Sequence, residues 1–224
     1  MAASARAEEL YAPGYPIFVD VRGRRVVVIG GGAVAQRKVE TLLEYGAAVH
    51  VVAPEVTEVI RNLADTGTIS LEERVWQPGD LHAAALAISA CGVPEVDEAI
   101  CMEAAAENCL VNVVDVPERC GFIVPSIVKR GPLQIAISTS GAAPTEAKNI
   151  RRQLEGDFDE SWEPYMKLMG QVRLLVKERI AGGEPQRRPY YEAASLAGWR
   201  ERLAAGEVIE VEDAYAEVCK RVEG

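Results

Sequence analysis

The sequence predicts an α/β fold built on a doubly wound parallel β-sheet, and three observations indicate it. Short apolar segments alternate with segments whose apolar residues recur at helical spacing, as far as residue 113. Residues 26–29 are four consecutive β-branched residues, which is typical of a strand covered by helices on both faces. Three glycines follow this strand at once and precede a helical segment, so strand, glycine turn and helix succeed one another.

The remaining strands of this sheet follow in chain order. After the helix that starts at Val34, we expect strands at residues 48–53, 69–75, 84–90 and 110–114, separated by helices that open at Pro54 and Pro94. A further short strand is predicted ahead of the main one, at residues 17–21. We therefore place a Rossmann-type domain at residues 15–113, behind a loose amino-terminal leader at residues 1–14.

The pattern changes after residue 113. Strands are predicted at residues 122–125 and 133–139, and the link between them leaves no room for a crossover helix. These strands should pair antiparallel or join a partner chain, within a strand-rich region at residues 114–148. A helix at residues 144–154 leads into a helical region at residues 149–224, with further helices at residues 162–180, 190–205 and 211–222.

Composition excludes several classes of protein. The net charge of −10 argues against nucleic-acid binding, and no apolar stretch is long enough to span a membrane or serve as a signal peptide. The five cysteines form no CxxC pair, and the two histidines complete no zinc spacing, so no metal site is predicted. Reduced thiols indicate a cytoplasmic protein.

The charge is unevenly distributed along the chain. Residues 119–153 contain six basic residues and one acid, Glu146. A basic region in an acidic protein suggests an anionic small-molecule ligand, although solvated helix faces would also explain these residues one at a time.

The glycine turn matches a dinucleotide-binding fingerprint. Gly30, Gly32 and Ala35 have the spacing GxGxxA, which lets backbone N–H groups and a helix amino terminus approach a pyrophosphate. A purely structural turn is the alternative, but the second strand that follows favours a nucleotide. Glu55, just beyond that strand, has no cation beside it and favours NAD over NADP.

Two segments beyond strand ends could carry chemistry. Asp115 follows the apolar run 111–114, where partial burial would raise the proton affinity of its carboxylate and suit a general base or acid. A turn or capping aspartate before Pro117 is an equal alternative. Residues 138–141 precede a helix and could bind an anion, although ordinary capping by Thr139 or Ser140 is the stronger explanation.

Several sequence blocks together resemble the precorrin-2 dehydrogenase family, which forms the amino-terminal module of siroheme synthases. The blocks are residues 15–18, 28–38, 52–55, 112–117, 122–126, 130–133, 135–139 and 150–155. The resemblance implies an NAD-dependent enzyme that oxidises precorrin-2 to sirohydrochlorin in siroheme biosynthesis. It also implies a homodimer joined through the middle region, and it allows a transient hand-over to a chelatase or methyltransferase.

The resemblance also implies roles for individual residues. Asp115 matches the family's proton-handling aspartate, and the carboxylate-rich tetrapyrrole substrate would explain the basic segment. The expected cofactor-binding residues are Gly30, Gly31, Gly32, Ala33, Val34, Ala53, Pro54, Glu55 and Cys91. The expected substrate-binding residues are Arg119, Ser126, Lys129, Arg130, Ser138, Thr139, Ser140 and Lys148.

The chain departs from the family pattern in two places. Ala143 stands where the family often has serine, and Cys91-Gly92 stands where it often has Thr-Asp or Thr-Asn. Two other functions stay open beside the dehydrogenase: a bifunctional dehydrogenase and sirohydrochlorin ferrochelatase, and a non-catalytic dinucleotide- or tetrapyrrole-binding protein.

Overall fold

The computed structural model describes residues 11–224, which form two compact units that divide between Val124 and Pro125. The first ten residues of the predicted leader lie outside the described range. The finer division expected from the sequence, with borders at residues 14, 113 and 148, stays a prediction.

The first unit is a five-stranded sheet in which every neighbouring pair of strands is parallel. The strand order β3-β2-β1-β4-β5 matches the first five strands of the doubly wound order 3-2-1-4-5-6, which confirms the predicted fold class. The strands are β1 Arg25–Ile29, β2 Ala48–Val52, β3 Ser70–Glu72, β4 Leu86–Ser89 and β5 Leu110–Val113.

Three helices cover the two faces of this sheet: α1 Ala33–Glu44, α2 Glu58–Asp65 and α3 Pro94–Ala106. Alternate residues of β1 face opposite sides of the sheet, so Val26 and Val28 join one core cluster while Val27 and Ile29 join the other. Burial on both faces explains why β1 has no polar residue after Arg25. Helix α2 begins four residues later than predicted, because the Thr57 hydroxyl accepts a hydrogen bond from the Ile60 N–H and caps it there.

The strand predicted at residues 17–21 is wrong. This segment is irregular and mostly exposed, with Phe18 71% exposed, and only Arg22 forms a β-bridge, to Ala47. Both edges of β1 are already paired, with β2 and β4, so the segment finds no strand beside β1 to extend.

The second unit opens with an antiparallel hairpin of β6 Ser126–Arg130 and β7 Leu133–Ile137. The strand predicted at residues 122–125 is therefore wrong in its bounds, because the observed strand begins only at Ser126, directly after the predicted one ends. The turn at Gly131 and Pro132, where Gly131 has φ +55°, pairs Arg130 with Leu133 and so aligns all five residues of β7 with residues 126–130.

The rest of the second unit is helical: α4 Pro144–Asp157, α5 Trp162–Arg179, α6 Glu184–Ser195, α7 Trp199–Ala204 and α8 Val211–Glu223. The single helix predicted at residues 190–205 is two helices, because Gly198 adopts φ +72° between α6 and α7. The fully buried Trp199 packs in one core with residues of α5 and α8, including Val176 and Val218. Among residues 11–224, no helix has the length and apolarity needed to cross a membrane.

All five cysteines are free thiols. Burial raises the pKa of Cys101 and Cys120, and it raises the pKa of Cys109 to about 11. These three thiols are therefore protonated at neutral pH, which makes them poor nucleophiles and suits a role in packing.

A buried histidine lies in the middle of β2, between β1 and the edge strand β3. His50 is 6% exposed, its Nδ1 lies 2.9 Å from the Ser70 hydroxyl, and its Nε2 lies 3.3 Å from the Glu72 carboxylate. Desolvation by burial lowers the pKa of His50, and the nearby Arg25 lowers it further. The folded protein therefore favours the neutral ring.

We predict that His50 makes the first unit less stable in weak acid. Below the unfolded-state pKa of about 6.5 the unfolded chain binds a proton that the folded chain resists, so the free energy of unfolding falls as the pH decreases towards the lower folded-state pKa. The slope contributed is at most about 1.4 kcal/mol per pH unit. Urea unfolding between pH 5 and pH 8 should show this slope in the wild type and a shallower one in His50→Gln. The exposed His82 provides the control, and an equal loss of slope in His82→Gln would contradict the prediction.

Candidate functional site

The carboxyl ends of four parallel strands lie level at one edge of the first sheet. The register pairs Ile29 with Val52 and with Ser89, and Ser89 with Val113. The segments that leave β1, β2, β4 and β5 therefore emerge side by side, which is where ligands bind in open α/β sheets.

The first two glycines of the turn are required by close backbone contacts. Gly30 has φ +116°, and a Cβ built on it would lie 2.5 Å from the Ala90 carbonyl oxygen. A Cβ on Gly31 would lie 2.1 Å from the carbonyl oxygen of Glu55. These two glycines hold the turn against the loops that follow β4 and β2.

Gly32 is different, because neither packing nor conformation demands glycine there. It is the N-cap of α1 with φ −76° and ψ −176°, and a Cβ on it would meet nothing within 4 Å. The open space lies at a helix amino terminus that has no side-chain cap and no acid in its first turn. Ala33 and Val34 open this helix, and N–H groups in a first turn have no intrahelical acceptor. This arrangement fits a dinucleotide pyrophosphate.

The predicted cofactor residues after β2 lie against the same turn. The Thr57 N–H donates to the Gly31 carbonyl oxygen at 2.9 Å, which fixes the loop that carries Pro54 and Glu55. Ala53 is buried, whereas Pro54 and Glu55 are exposed. A carboxylate at this position could accept hydrogen bonds from ribose hydroxyls.

Cys91, beyond β4, belongs to a small polar network. Asp97 is 4% exposed and accepts a hydrogen bond from the Ser89 hydroxyl at 2.5 Å and from the Cys91 thiol at 3.4 Å. A Cβ on Gly30 would lie 3.2 Å from the Cys91 backbone nitrogen, so this network supports the glycine turn from the β4 side. The sequence analysis missed Ser89 and Asp97, since neither residue type signals burial.

Asp115 lies in the turn directly after β5 and has φ +62°. Its side chain is exposed, which corrects the expectation that apolar neighbours partly bury it. The left-handed backbone conformation breaks the in-out alternation of side chains that holds along β5, so the side chain does not continue into the core. Aspartate is one of the few non-glycine residues that tolerate this conformation. Its carboxylate makes no hydrogen bond or ion pair with the rest of residues 11–224 and is open to a ligand.

Asp115 faces a cleft of about 410 Å³. The cleft is lined by Val34, Arg37, Lys38 and Thr41 of α1 and by Val114 and Asp115 after β5. The sequence analysis assigned no role to Arg37, Lys38 or Thr41. Two adjacent cations directly after a dinucleotide fingerprint were the signal that could have singled them out.

Arg119, a predicted substrate residue in the first unit, is engaged within that unit. Its guanidinium donates to the Pro94 carbonyl oxygen at 2.9 Å and lies 3.6 Å from the Glu98 carboxylate. These contacts tie the 3₁₀ turn Pro117–Arg119 to the start of α3.

Three predicted substrate residues lie on β6 of the second unit. Ser126 and Arg130 pair with the two ends of β7, and Lys129 is exposed between them. The Arg130 guanidinium donates to the Glu155 carbonyl oxygen at 3.2 Å and lies 3.5 Å from the Glu160 carboxylate, so intramolecular contacts already occupy it.

The remaining four residues surround the start of α4. The Ser138 hydroxyl accepts from the Ser140 N–H at 2.9 Å, and the Thr139 hydroxyl accepts from the Ala143 N–H at 3.1 Å. Both hydroxyls therefore order the loop, while Ala143, the N-cap, supplies no side-chain cap. Lys148 is exposed, and its side chain has no partner within the described part of the chain.

Two family models match the chain. The model described as putative NAD(P)-binding matches residues 17–126, and the model described as sirohaem biosynthesis protein central matches residues 130–156. The first match covers the sheet, the glycine turn and Asp115. Residues 17–126 are therefore similar to an NAD(P)-binding domain.

Three similar curated proteins are siroheme synthases. Those of Methylobacillus flagellatus and Nitrosococcus oceani are 38% and 36% identical over 86% and 89% of this chain. The siroheme synthase of Xylella fastidiosa is 39% identical over 84% of the chain. The matched part is 41%, 42% and 40% of these three proteins, so the chain spans less than half of their length.

A solved structure, SirC, precorrin-2 dehydrogenase, has the same fold. It superposes with a TM-score of 0.74 at 25% identity, and the match covers 94% of this chain and 99% of SirC. The resemblance inferred from the sequence blocks is confirmed by these comparisons.

We predict that Gly32→Ala separates folding from dinucleotide binding. The new methyl group meets no protein atom, so the free energy of unfolding should change by about 1 kcal/mol or less. The same methyl group would occupy the space that the pyrophosphate needs, so dinucleotide affinity should fall by about tenfold or more. Isothermal titration calorimetry and urea unfolding measure the two quantities.

Gly156→Ala is the matched control, because a Cβ at Gly156 in α4 also meets nothing within 4 Å. It should leave dinucleotide affinity unchanged. Undiminished dinucleotide affinity in Gly32→Ala would contradict the binding of the pyrophosphate at this turn.

Proposed function

We propose that this chain is a member of the family of precorrin-2 dehydrogenases and siroheme synthase amino-terminal modules, and that it oxidises precorrin-2 to sirohydrochlorin with NAD as cofactor. The observation that carries the proposal is the position of Asp115. An unpaired carboxylate stands beyond β5, at the same edge of the sheet as a glycine turn shaped for a pyrophosphate. The chain spans only part of its siroheme synthase relatives, and the proposal concerns the reaction that this part would catalyse.

The proposed roles follow from the contacts of each group. When bound, NAD would supply the hydride acceptor for this oxidation. The backbone of Gly30–Val34 anchors the cofactor through its phosphates, and Gly30 and Gly31 keep that backbone rigid against the neighbouring loops. Asp115 removes the accompanying proton, since its free carboxylate oxygens can approach a substrate C–H or N–H without first breaking an internal hydrogen bond.

NAD is preferred over NADP in this proposal because of Glu55. Its carboxylate is exposed on the loop whose backbone abuts Gly31. There it would accept hydrogen bonds from the ribose hydroxyls and repel a 2′-phosphate.

The tetrapyrrole substrate is proposed to contact the predicted residues of the second unit as well, including Ser126, Lys129, Ser140 and Lys148. A homodimer through β6 and β7 is part of the same proposal. Within residues 11–224 these strands pair only with each other, so their outer edges can accept a partner strand. We keep the cytoplasm as the proposed location on the strength of the free thiols.

We predict turnover in a coupled assay that generates precorrin-2 in situ. Reduced nicotinamide and sirohydrochlorin should appear in equal amounts, with NAD giving a higher kcat/KM than NADP. No turnover by folded protein that binds NAD would favour the non-catalytic alternative. A parallel reaction with sirohydrochlorin and ferrous ion, without NAD, tests the ferrochelatase alternative against an enzyme-free control.

We predict that Asp115→Asn lowers kcat by about 100-fold or more, because general base catalysis typically contributes about 10² to 10⁴. The amide keeps the size of the side chain, so NAD affinity and the free energy of unfolding should stay unchanged. Asp65→Asn, which changes another exposed aspartate of the first unit, should retain full activity. Full activity in Asp115→Asn would exclude this carboxylate from proton transfer.

A further inference from the structure

We propose that the cleft between α1 and Asp115 is a subsite for one carboxylate arm of the substrate, held by Arg37 and Lys38. The inference rests on the proposed dehydrogenase function and deepens it. It assigns to α1 a second ligand, beside the dinucleotide that its amino terminus would hold.

The side chains that line the cleft carry a net positive charge. Two cations and one carboxylate line it, so it attracts anions. Neither the Arg37 guanidinium nor the Lys38 ammonium has an ion pair or a hydrogen bond with any other residue in the range 11–224. Most other arginines of the first unit are paired, as Arg61 is with Glu73 and Arg74 with Asp80. Two adjacent cations that the protein does not use internally remain available to a ligand.

The residues of α1 that line the cleft lie on one side of the helix. Val34, Lys38 and Thr41 lie at i, i+4 and i+7, and Arg37 lies beside them at i+3. They form one stripe of the helix, whereas Ala35 and Val39 are buried against the sheet. Side chains on a helix tilt towards its amino terminus, so the two cations lean towards the sheet edge at which β5 ends.

The size of the cleft suits a small acidic group. A cleft of about 410 Å³ is at the small end of ligand pockets and accepts a short acidic arm more readily than a whole macrocycle. Thr41 donates its hydroxyl hydrogen to the Arg37 carbonyl oxygen at 2.9 Å, so the donors left for a carboxylate belong to Arg37 and Lys38. A planar guanidinium binds a carboxylate through two parallel hydrogen bonds, which would orient the arm.

The dinucleotide phosphates are a less suitable ligand for these cations. The pyrophosphate position is at Gly32, and Arg37 and Lys38 follow it by about 8 Å along the helix axis. The cleft that they line runs from Val34, at the start of α1, to Asp115 after β5. An arm bound there would place the attached ring next to the proposed proton acceptor.

The test compares Arg37→Gln and Lys38→Gln with the wild type. We expect each variant to raise KM for precorrin-2 by about tenfold to a hundredfold, the range for losing a hydrogen bond to a charged group, with kcat changed less than twofold. Affinity for NAD should stay unchanged by calorimetry. Lys38→Arg should have a KM for precorrin-2 close to that of the wild type, because the substitution preserves the positive charge.

Arg24→Gln is the matched control, since Arg24 is an exposed arginine of the same unit that does not line the cleft. It should leave KM unchanged. An unchanged KM in both cleft variants would overturn the inference, as would a loss of NAD affinity equal to the loss of substrate affinity. Circular dichroism shows whether each variant is folded, and the two single variants give independent readings.

Direct binding of sirohydrochlorin, followed by its absorbance, separates this inference from the proposed function. If the wild type binds sirohydrochlorin without any turnover of precorrin-2, the proposed function fails while the subsite can still be tested. Weaker binding by Arg37→Gln and Lys38→Gln, but not by Arg24→Gln, would then support it. Equal binding by all four proteins would overturn it.

Discussion

The candidate site depends on two backbone contacts at the end of β1. Gly30 and Gly31 bring the turn so close to the Ala90 and Glu55 carbonyl oxygens that no side chain fits between them. These contacts connect the loops after β1, β2 and β4, and the parallel register sets the end of β5 level with them. Replacing either glycine would force the loops apart. A ligand at Gly32 and the carboxylate of Asp115 therefore have a fixed relation within one rigid sheet edge, which is what a reaction between two bound molecules requires.

Carboxylates of the first unit differ in whether their oxygens have hydrogen-bond partners within the protein. Asp97 is buried and accepts hydrogen bonds from Ser89 and Cys91, so its role is complete without a ligand. Asp115 is exposed, lies in a left-handed turn and has no partner in the described chain. Holding a non-glycine residue in this conformation costs on the order of 1 kcal/mol, which a purely structural turn could avoid with glycine. The contrast supports a structural role for Asp97 and a chemical one for Asp115.

The sequence predicted the features that local pattern determines. Continuous apolar strands, the glycine fingerprint and alternation with helices were enough for the parallel sheet and for the edge at which Asp115 lies. What failed depended on tertiary context. Four of the five residues 17–21 are apolar, as in a strand, yet no free edge of β1 remains to pair with them. The hairpin register depends on the turn at Gly131, which local hydrophobicity does not show. The exposure of Asp115 follows from a backbone dihedral angle that no periodicity reveals.

The cations of the chain differ in whether internal contacts already occupy them. The sequence predicts one anion-binding region at residues 119–153, but the arginines of this segment are not equivalent. Arg119 binds the Pro94 carbonyl oxygen, and Arg130 binds the Glu155 carbonyl oxygen, so both stabilise their own units. Arg37 and Lys38 lie outside that segment, and the sequence predicted no substrate-binding role for them. Their charges are nevertheless unpaired, and both residues line a cleft. Recruiting a paired arginine for a ligand would first cost its internal hydrogen bonds, whereas an unpaired cation exchanges only water. A cluster of basic residues in a sequence is therefore a weaker indication of an anion site than a cation that has no internal partner in the folded chain.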